Sequence, residues 1–217
     1  MIEPVRMATP PVWQGRCRTL YKPIVSEVVA VPRLFVALDL PQSIKQSLEP
    51  LAKGLGDVRW LAPEQQHLTL RFIGDVDSGA VHDIAEALAT VPAEPFELTL
   101  KGLGHFPPRG EPRVLWVGVD KNPALASLKR RIDRALREVA MPPEPRKFAP
   151  HVTIARIRTP LSPTRLGTYL MRHSLYRSAP FPVSSFHLYS SWLRSDGAEH
   201  QVEASYELVP GIEDDFA

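Results

Sequence analysis

Apolar and polar residues alternate along two short segments that lie far apart in the chain. The segments are His67-Leu68-Thr69-Leu70 and His151-Val152-Thr153-Ile154. On a β-strand, alternate side chains share a face, so each histidine and its threonine point to one side and the aliphatic residues to the other. We expect the aliphatic sides to pack against helices. The polar sides must meet water, a ligand or a partner, because burying them unpaired is costly.

The rest of the pattern predicts strands and helices that alternate from Arg33 onward, with an approximate duplication that places one of the two segments in each half. Pro50 argues against an unbroken first helix. Ser78 is the expected N-cap of the second helix, and Asn122 with Pro123 the expected start of the third. The predicted strands cover residues 33–38, 58–60, 67–72, 96–103, 113–119, 151–156, 181–191 and 201–208, and the predicted helices cover residues 42–55, 78–88, 123–139 and 164–172.

Composition sets the domain organisation. The chain has 217 residues, of which 44% are hydrophobic and 23% charged, and this balance is ordinary for a globular protein of one large domain or two small lobes. Residues 1–31 are rich in proline and arginine and show no period, so we expect a disordered or loosely packed extension there. We assign residues 32–212 to the folded domain.

Charge and cysteine content narrow the class of protein. The formal net charge is +2, which is compatible with a polyanionic ligand but does not require one. The single cysteine, Cys17, excludes an internal disulfide and a thiolate metal cluster, which favours a reducing cytoplasm. No apolar run approaches the length of a transmembrane helix or a signal peptide. We therefore expect a cytoplasmic protein that does not attach to a membrane.

The two segments suit phosphate chemistry. Opening a cyclic phosphodiester requires a base that activates water and an acid that protonates the leaving oxygen, and two imidazoles can divide these tasks. Threonine hydroxyls can donate hydrogen bonds to phosphate oxygens and stabilise the charge of the transition state. Two histidines without a clustered cysteine or carboxylate make a poor zinc site, so we expect neither a metal nor another cofactor. For one such motif alone, a histidine with a local hydrogen bond is the simpler interpretation.

Further segments around the two motifs support the phosphate hypothesis. They are residues 33–38 (RLFVAL), 58–60 (VRW), 71–75 (RFIGD), 112–119 (PRVLWVGV) and 148–156 (FAPHVTIAR). Together with the paired motifs they resemble the two-histidine phosphoesterase superfamily, and within it the prokaryotic RNA 2′,3′-cyclic phosphodiesterases, which are also named 2′-5′ RNA ligases. The resemblance covers residues 33–210.

The resemblance implies an α+β fold of two pseudo-symmetric lobes, each an antiparallel sheet backed by helices, with the active site in a groove between them. It implies a metal-independent reaction in which His67 is the proton donor and His151 the general base, and the product is an RNA 2′-phosphomonoester. It also implies that Arg156 contributes to RNA binding. Strict alternation would point Arg156 away from His151, so this role requires the strand to end or bend.

Three more substrate contacts are predicted from the residues themselves. Thr69 and Thr153 are candidates for binding the phosphate. Arg71 has the same parity as His67 along its strand, which makes it a further candidate for contacting the substrate. The expected partner is RNA with a 2′,3′-cyclic phosphate end, including ends derived from tRNA, and we expect a monomer.

Two alternatives remain open at this stage. The same groups could join RNA ends through a 2′-5′ bond or cleave a 2′-5′ phosphodiester, by microscopic reversibility. The groove could instead bind RNA ends without catalysis, and this alternative predicts salt-sensitive binding without turnover.

Overall fold

The computed structural model describes residues 19–21, 33–56, 58–194 and 197–210. The strands are β1 (Thr19–Tyr21), β2 (Arg33–Asp39), β3 (Val58–Trp60), β4 (His67–Asp75), β5 (Phe96–Leu98), β6 (Leu100–Phe106), β7 (Val114–Val119), β8 (His151–Ile157), β9 (Phe181–Val183), β10 (Ser185–Arg194) and β11 (Gly197–Glu207). The α-helices are α1 (Gln42–Leu48), α2 (Ser78–Ala89), α3 (Pro123–Glu138) and α4 (Pro163–Arg172).

The helix boundaries follow the capping signals in the sequence, with one exception. The Asn122 side chain accepts a hydrogen bond from the Leu125 amide at 2.9 Å, and Pro123 opens α3 as predicted. The predicted cap Ser78 is wrong, because Asp77 caps α2 by accepting from the Ala80 amide at 2.8 Å. Near Pro50 the first helix changes into a short 3-10 turn, as the missing proline N–H requires.

Two predicted strands each divide into two. The segment expected at residues 96–103 forms β5 and β6, and that at residues 181–191 forms β9 and β10. β5 and β9 pair in a small separate sheet, whereas β6 and β10 belong to the large one. At the breaks, the carbonyls of Thr99 and Ser184 accept hydrogen bonds from loop amides that lie beyond β7 and β11.

The large sheet consists of two antiparallel half-sheets that meet in its middle. Its strand order is β1-β11-β10-β2-β4-β8-β7-β6, with β3 added beside β8. Apart from the short strand β3, the order of elements in the first half, β2-α1-β4-α2, repeats in the second as β7-α3-β8-α4. This architecture confirms the predicted α+β fold of two pseudo-symmetric lobes, each with helices over an antiparallel sheet.

The aliphatic residues of the two motifs lie in the hydrophobic core. Leu68, Leu70, Val152 and Ile154 are all at most 3% exposed and share one core cluster with the buried faces of the helices. Burying an aliphatic side chain of this size contributes roughly 1.5–3 kcal/mol. This packing holds the opposite, polar face of β4 and β8 in place.

The amino-terminal strand β1 pairs antiparallel with β11 and extends the sheet at its edge. The predicted disorder of residues 1–31 otherwise falls outside the described residues. Within the described residues, no helix is long and apolar enough to cross a membrane.

Candidate active site

The junction of the two half-sheets brings the two motifs together. β4 and β8 pair antiparallel with Leu68 opposite Val152. This register places His67 opposite Thr153, and Thr69 opposite His151, on the face away from the core. Directly opposed Cβ atoms in such a pair are about 5 Å apart and diagonal ones about 7–8 Å. The two histidines therefore occupy diagonal corners of a polar square, which we call the groove face.

Both motif strands contain a β-bulge at the same point. In β4, Thr69 pairs with Ala37 and Arg71 with Val36, so Leu70 is the extra residue. In β8, Thr153 pairs with Trp116 and Ala155 with Leu115, so Ile154 is the extra residue. The first six residues of both strands accordingly share one burial order, in which two consecutive buried residues follow the threonine. After the bulge, the alternation of faces is reversed.

The reversal moves Arg156 onto the groove face. Arg156 is exposed and lies directly opposite Arg59 of β3. It is also close enough to His200 to affect the titration of that residue. The predicted role of Arg156 required the strand to end or bend before it, and the bulge at Ile154 is such an irregularity.

The same reversal carries Arg71 away from the groove face. Arg71 is only 4% exposed, and its guanidinium donates to the Pro142 carbonyl and lies 3.7 Å from an Asp133 carboxylate oxygen on α3. The predicted placement of Arg71 beside His67 is therefore wrong, because parity counted along the strand did not include the bulge. Phe72 takes the groove-face position instead and is 58% exposed.

His67 lies in a pocket walled by aromatic rings. The ring centres of Phe35, Tyr189 and His200 are 4.9, 6.0 and 5.2 Å from that of His67. Burial, together with the neighbouring His200, lowers the pKa of His67 from 6.5 to about 4, although Asp39 acts in the opposite direction. His67 is therefore neutral near pH 7 in the unliganded protein.

His151 has a different environment and a defined tautomer. Its Nδ1 donates to the Ala149 carbonyl at 2.7 Å, which leaves Nε2 without a proton in the neutral ring. Phe106 contacts the ring edge-to-face with ring centres 4.9 Å apart. Burial lowers the pKa of His151, partly offset by the hydrogen bond to Ala149.

Trp116 supports His151 from the neighbouring strand β7. Its ring centre is 6.3 Å from that of His151. The indole lies against Gly104 of β6, where a Cβ would come within 2.3 Å of the ring. The close approach of the ring explains why glycine occupies position 104.

Sequence reasoning missed three groove-face residues, His200, Phe72 and Arg59. Phe72 follows its histidine at the same interval as Arg156 follows His151, so the duplication itself carried a signal for this position. Arg59 sits on the short strand β3, and His200 comes from β11, which has no counterpart in the second lobe. Arg59 lies in the VRW segment that contributed to the family resemblance, but that segment did not indicate a role for it, and no local motif marks His200.

A cavity of about 340 Å³ adjoins the groove at the Phe72 end. It lies between β4 and the loop that precedes β8, and its walls are Arg71, Phe72, Ile73 and residues 142–146. Prolines at 142, 143 and 145 have no N–H with which to continue a strand ladder. Across the described ranges, no three His, Cys, Asp or Glu side chains cluster in a way that could hold a metal ion.

Comparison with known proteins gives consistent matches. The family model described as LigT like Phosphoesterase matches residues 38–116 and again residues 117–198, so each match contains one motif. An RNA 2′,3′-cyclic phosphodiesterase of Thermotoga maritima is 33% identical over 191 residues, covering 83% of this chain and 97% of its own. One from Archaeoglobus fulgidus is 34% identical over 129 residues, covering 58% and 73%.

The fold also matches solved structures. The crystal structure of E. coli LigT in its apo form superposes with a TM-score of 0.68 at 23% identity, covering 83% of this chain and all of that one. At this level of identity the likeness concerns the fold alone.

Proposed function

Since this chain belongs to the LigT-like phosphoesterase family, we propose that it is an RNA 2′,3′-cyclic phosphodiesterase that leaves a 2′-phosphomonoester. Relatives at 33% and 34% identity carry that enzyme name, and one of them is matched over almost its whole length. The observation that carries the proposal is the register of β4 and β8, which sets His67 opposite Thr153 and His151 opposite Thr69.

His151 acts as the general base in this proposal. Its Nδ1 hydrogen is engaged by Ala149, so Nε2 is the atom available to accept a proton from water. The water oxygen attacks phosphorus as its proton passes to Nε2. The lowered pKa of His151 keeps the ring neutral and ready for this step at pH 7.

His67 acts as the general acid. The bond from phosphorus to the 3′ oxygen breaks, and His67 transfers its proton to that oxygen, which leaves the phosphate on the 2′ oxygen. In the free protein the low pKa of His67 opposes protonation. The negatively charged phosphodiester raises this pKa on binding, so the acid is charged in the complex with substrate.

Thr69 and Thr153 donate hydrogen bonds to the phosphate oxygens from the remaining corners of the square. Arg156 contacts the RNA beyond His67, where the directly opposed Arg59 adds positive charge. At the opposite end of the groove face, the exposed ring of Phe72 can stack against a base of the RNA.

We further propose that residues 32–212 form the catalytic domain and that the enzyme works as a cytoplasmic monomer without a metal. RNA ends derived from tRNA belong to the proposed substrate class.

The test is incubation with an oligoribonucleotide that carries a 2′,3′-cyclic phosphate end, with and without EDTA, followed by analysis of the product. We expect a 2′-phosphomonoester at the same rate in both samples. A 3′-phosphomonoester would contradict the assignment of the leaving oxygen. A joined 2′-5′ product would indicate a ligase, and salt-sensitive binding without turnover a binding module.

Alanine variants of the two motif histidines test whether these residues carry out the reaction. His67→Ala and His151→Ala should each abolish turnover while leaving the fold intact. His82→Ala on α2, whose side chain is 61% exposed, is the matched control and should retain the full rate. Full activity of His151→Ala would rule out the proposed mechanism.

A further inference from the structure

His200 is the one additional imidazole that touches a motif histidine among the described residues. Its ring meets that of His67 edge-to-face, with ring centres 5.2 Å apart and planes at 88°. It also meets Phe35 edge-to-face at 5.1 Å. His200 is half-buried, and its Nδ1 is buried without a hydrogen-bond partner in the described structure. A buried polar atom without a partner is unusual and calls for an explanation.

The chain holds His200 in this position through the segment that precedes His67. The Gln65 side chain donates to the Ala198 carbonyl of β11 at 2.9 Å, and the Gln65 backbone carbonyl accepts a hydrogen bond from the His67 ring. Gln65 thus connects β11, the strand of His200, to the His67 ring. The second lobe has no counterpart to β11, and His151 contacts Phe106 and Trp116 instead.

We propose that His200 is a positioning residue for His67. It forms a wall of the His67 pocket, and its contact ensures that at most one of the two rings is positively charged at a time. Two imidazolium ions about 5 Å apart in a partly dry pocket repel strongly, so a proton on one opposes a proton on the other. The inference rests on the proposed function, in which His67 is neutral before substrate binds and charged afterwards.

Other charged and titratable groups also face this pair. They are Asp39 of β2, Lys45 of α1, Tyr189 of β10 and, through His200, Arg156 of β8. Asp39 favours the charged form of His67, and Lys45 bonds Asp39 at 2.9 Å and opposes that form. Of the groups on other elements, His200 is the only imidazole among the described residues in ring contact with His67, and burial together with Arg156 lowers its pKa.

The arrangement gives the substrate a specific effect. An anionic phosphate at the groove face stabilises a proton on His67, and the same proton disfavours a charge on His200. Arg156 also disfavours a charged His200, so the site reaches one defined protonation state, with the proton on His67. Without His200, the His67 ring loses both a wall and its competitor for the proton.

The test is an NMR pH titration of the His67 ring in the whole protein, in wild type and in His200→Gln. Glutamine is polar, uncharged and of similar length. We expect the pKa of His67 to rise by about one to two units toward its ordinary value. The limb of the kcat/KM profile that reports His67 should move by the same amount. His82→Gln, on the surface of α2, should leave the His67 titration unchanged.

A second variant separates positioning from simple packing. His200→Phe keeps a ring against His67 but cannot carry a proton, so it should raise the pKa of His67 by a smaller amount, because the pocket stays dry. It should also retain more of kcat than His200→Gln does. A His67 titration that is identical in wild type and both variants would overturn the proposal. The titration requires no substrate, so a failure of the proposed activity would be recognised separately.

Discussion

The contrast between Arg71 and Arg156 gives the sharpest test of the bulged strands. Arg71→Met removes a buried guanidinium that binds the Pro142 carbonyl and approaches Asp133, but keeps most of the apolar stem. A hydrogen bond that involves a charged group contributes about 1.5–3 kcal/mol. Breaking a fully buried ion pair costs about 3–5 kcal/mol. The lower range applies here, since Asp133 keeps Lys129 at 2.6 Å and is not left unpaired.

We therefore expect Arg71→Met to lower the free energy of unfolding by about 2–3 kcal/mol. For a chain of this length, that loss corresponds to a fall in Tm of about 5–10 °C. Turnover of cyclic-phosphate RNA at 25 °C should stay close to that of wild type, because Arg71 faces the helices. Differential scanning calorimetry and initial-rate kinetics on the same preparation measure both quantities.

Arg156→Met is the matched comparison, because the two residues were both substrate candidates from sequence. Arg156 is exposed, so its loss should change stability by no more than about 0.5 kcal/mol. Loss of a charged contact with RNA should reduce kcat/KM by about 10- to 100-fold. An unchanged Tm together with a large loss of kcat/KM in Arg71→Met would refute the reasoning from the bulge.

Three further predictions concern the pH dependence and the packing of the site. First, the pH profile of kcat/KM for the wild type should be bell-shaped with its maximum below pH 6.5, because the pKa values of both motif histidines are lowered in the free protein. A maximum above pH 7.5 would contradict this. Second, the lowered pKa of His67 favours the neutral ring in the folded protein, so the free energy of unfolding should fall by up to about 3 kcal/mol as the pH drops from 6.5 toward 4. Urea unfolding of His67→Gln should not show this part of the pH dependence. Third, Gly104→Ala should destabilise the protein by about 1–3 kcal/mol and change Trp116 fluorescence, because the new methyl group meets the indole. The control is Gly167→Ala in α4, where the new carbon meets no neighbouring side chain within 4 Å, and it should be neutral or stabilising.

Local sequence patterns were sufficient for most elements of the fold. The alternation in the two motif segments predicted strands with one buried and one polar face, because the β period depends only on backbone geometry. Asn122 and Pro123 predicted the start of α3 because capping involves neighbouring residues. The repeated motif indicated an approximate duplication, and the family resemblance implied two similar lobes. Apart from the short strand β3, the repeat is visible in the element order β2-α1-β4-α2 and β7-α3-β8-α4.

What the sequence determined by itself was therefore most of the strands and helices, and which motif residues share a face up to the threonine. The tertiary structure decided what happens beyond that point. A bulge arises from the pairing of a strand with its neighbour, so the reversal that exposes Arg156 and buries Arg71 is not encoded in the alternation of either strand alone. His200 lies beside His67 because β10 and β11 bring a distant segment across the sheet. Contacts between residues so far apart in the chain follow from topology and register, which no local period specifies.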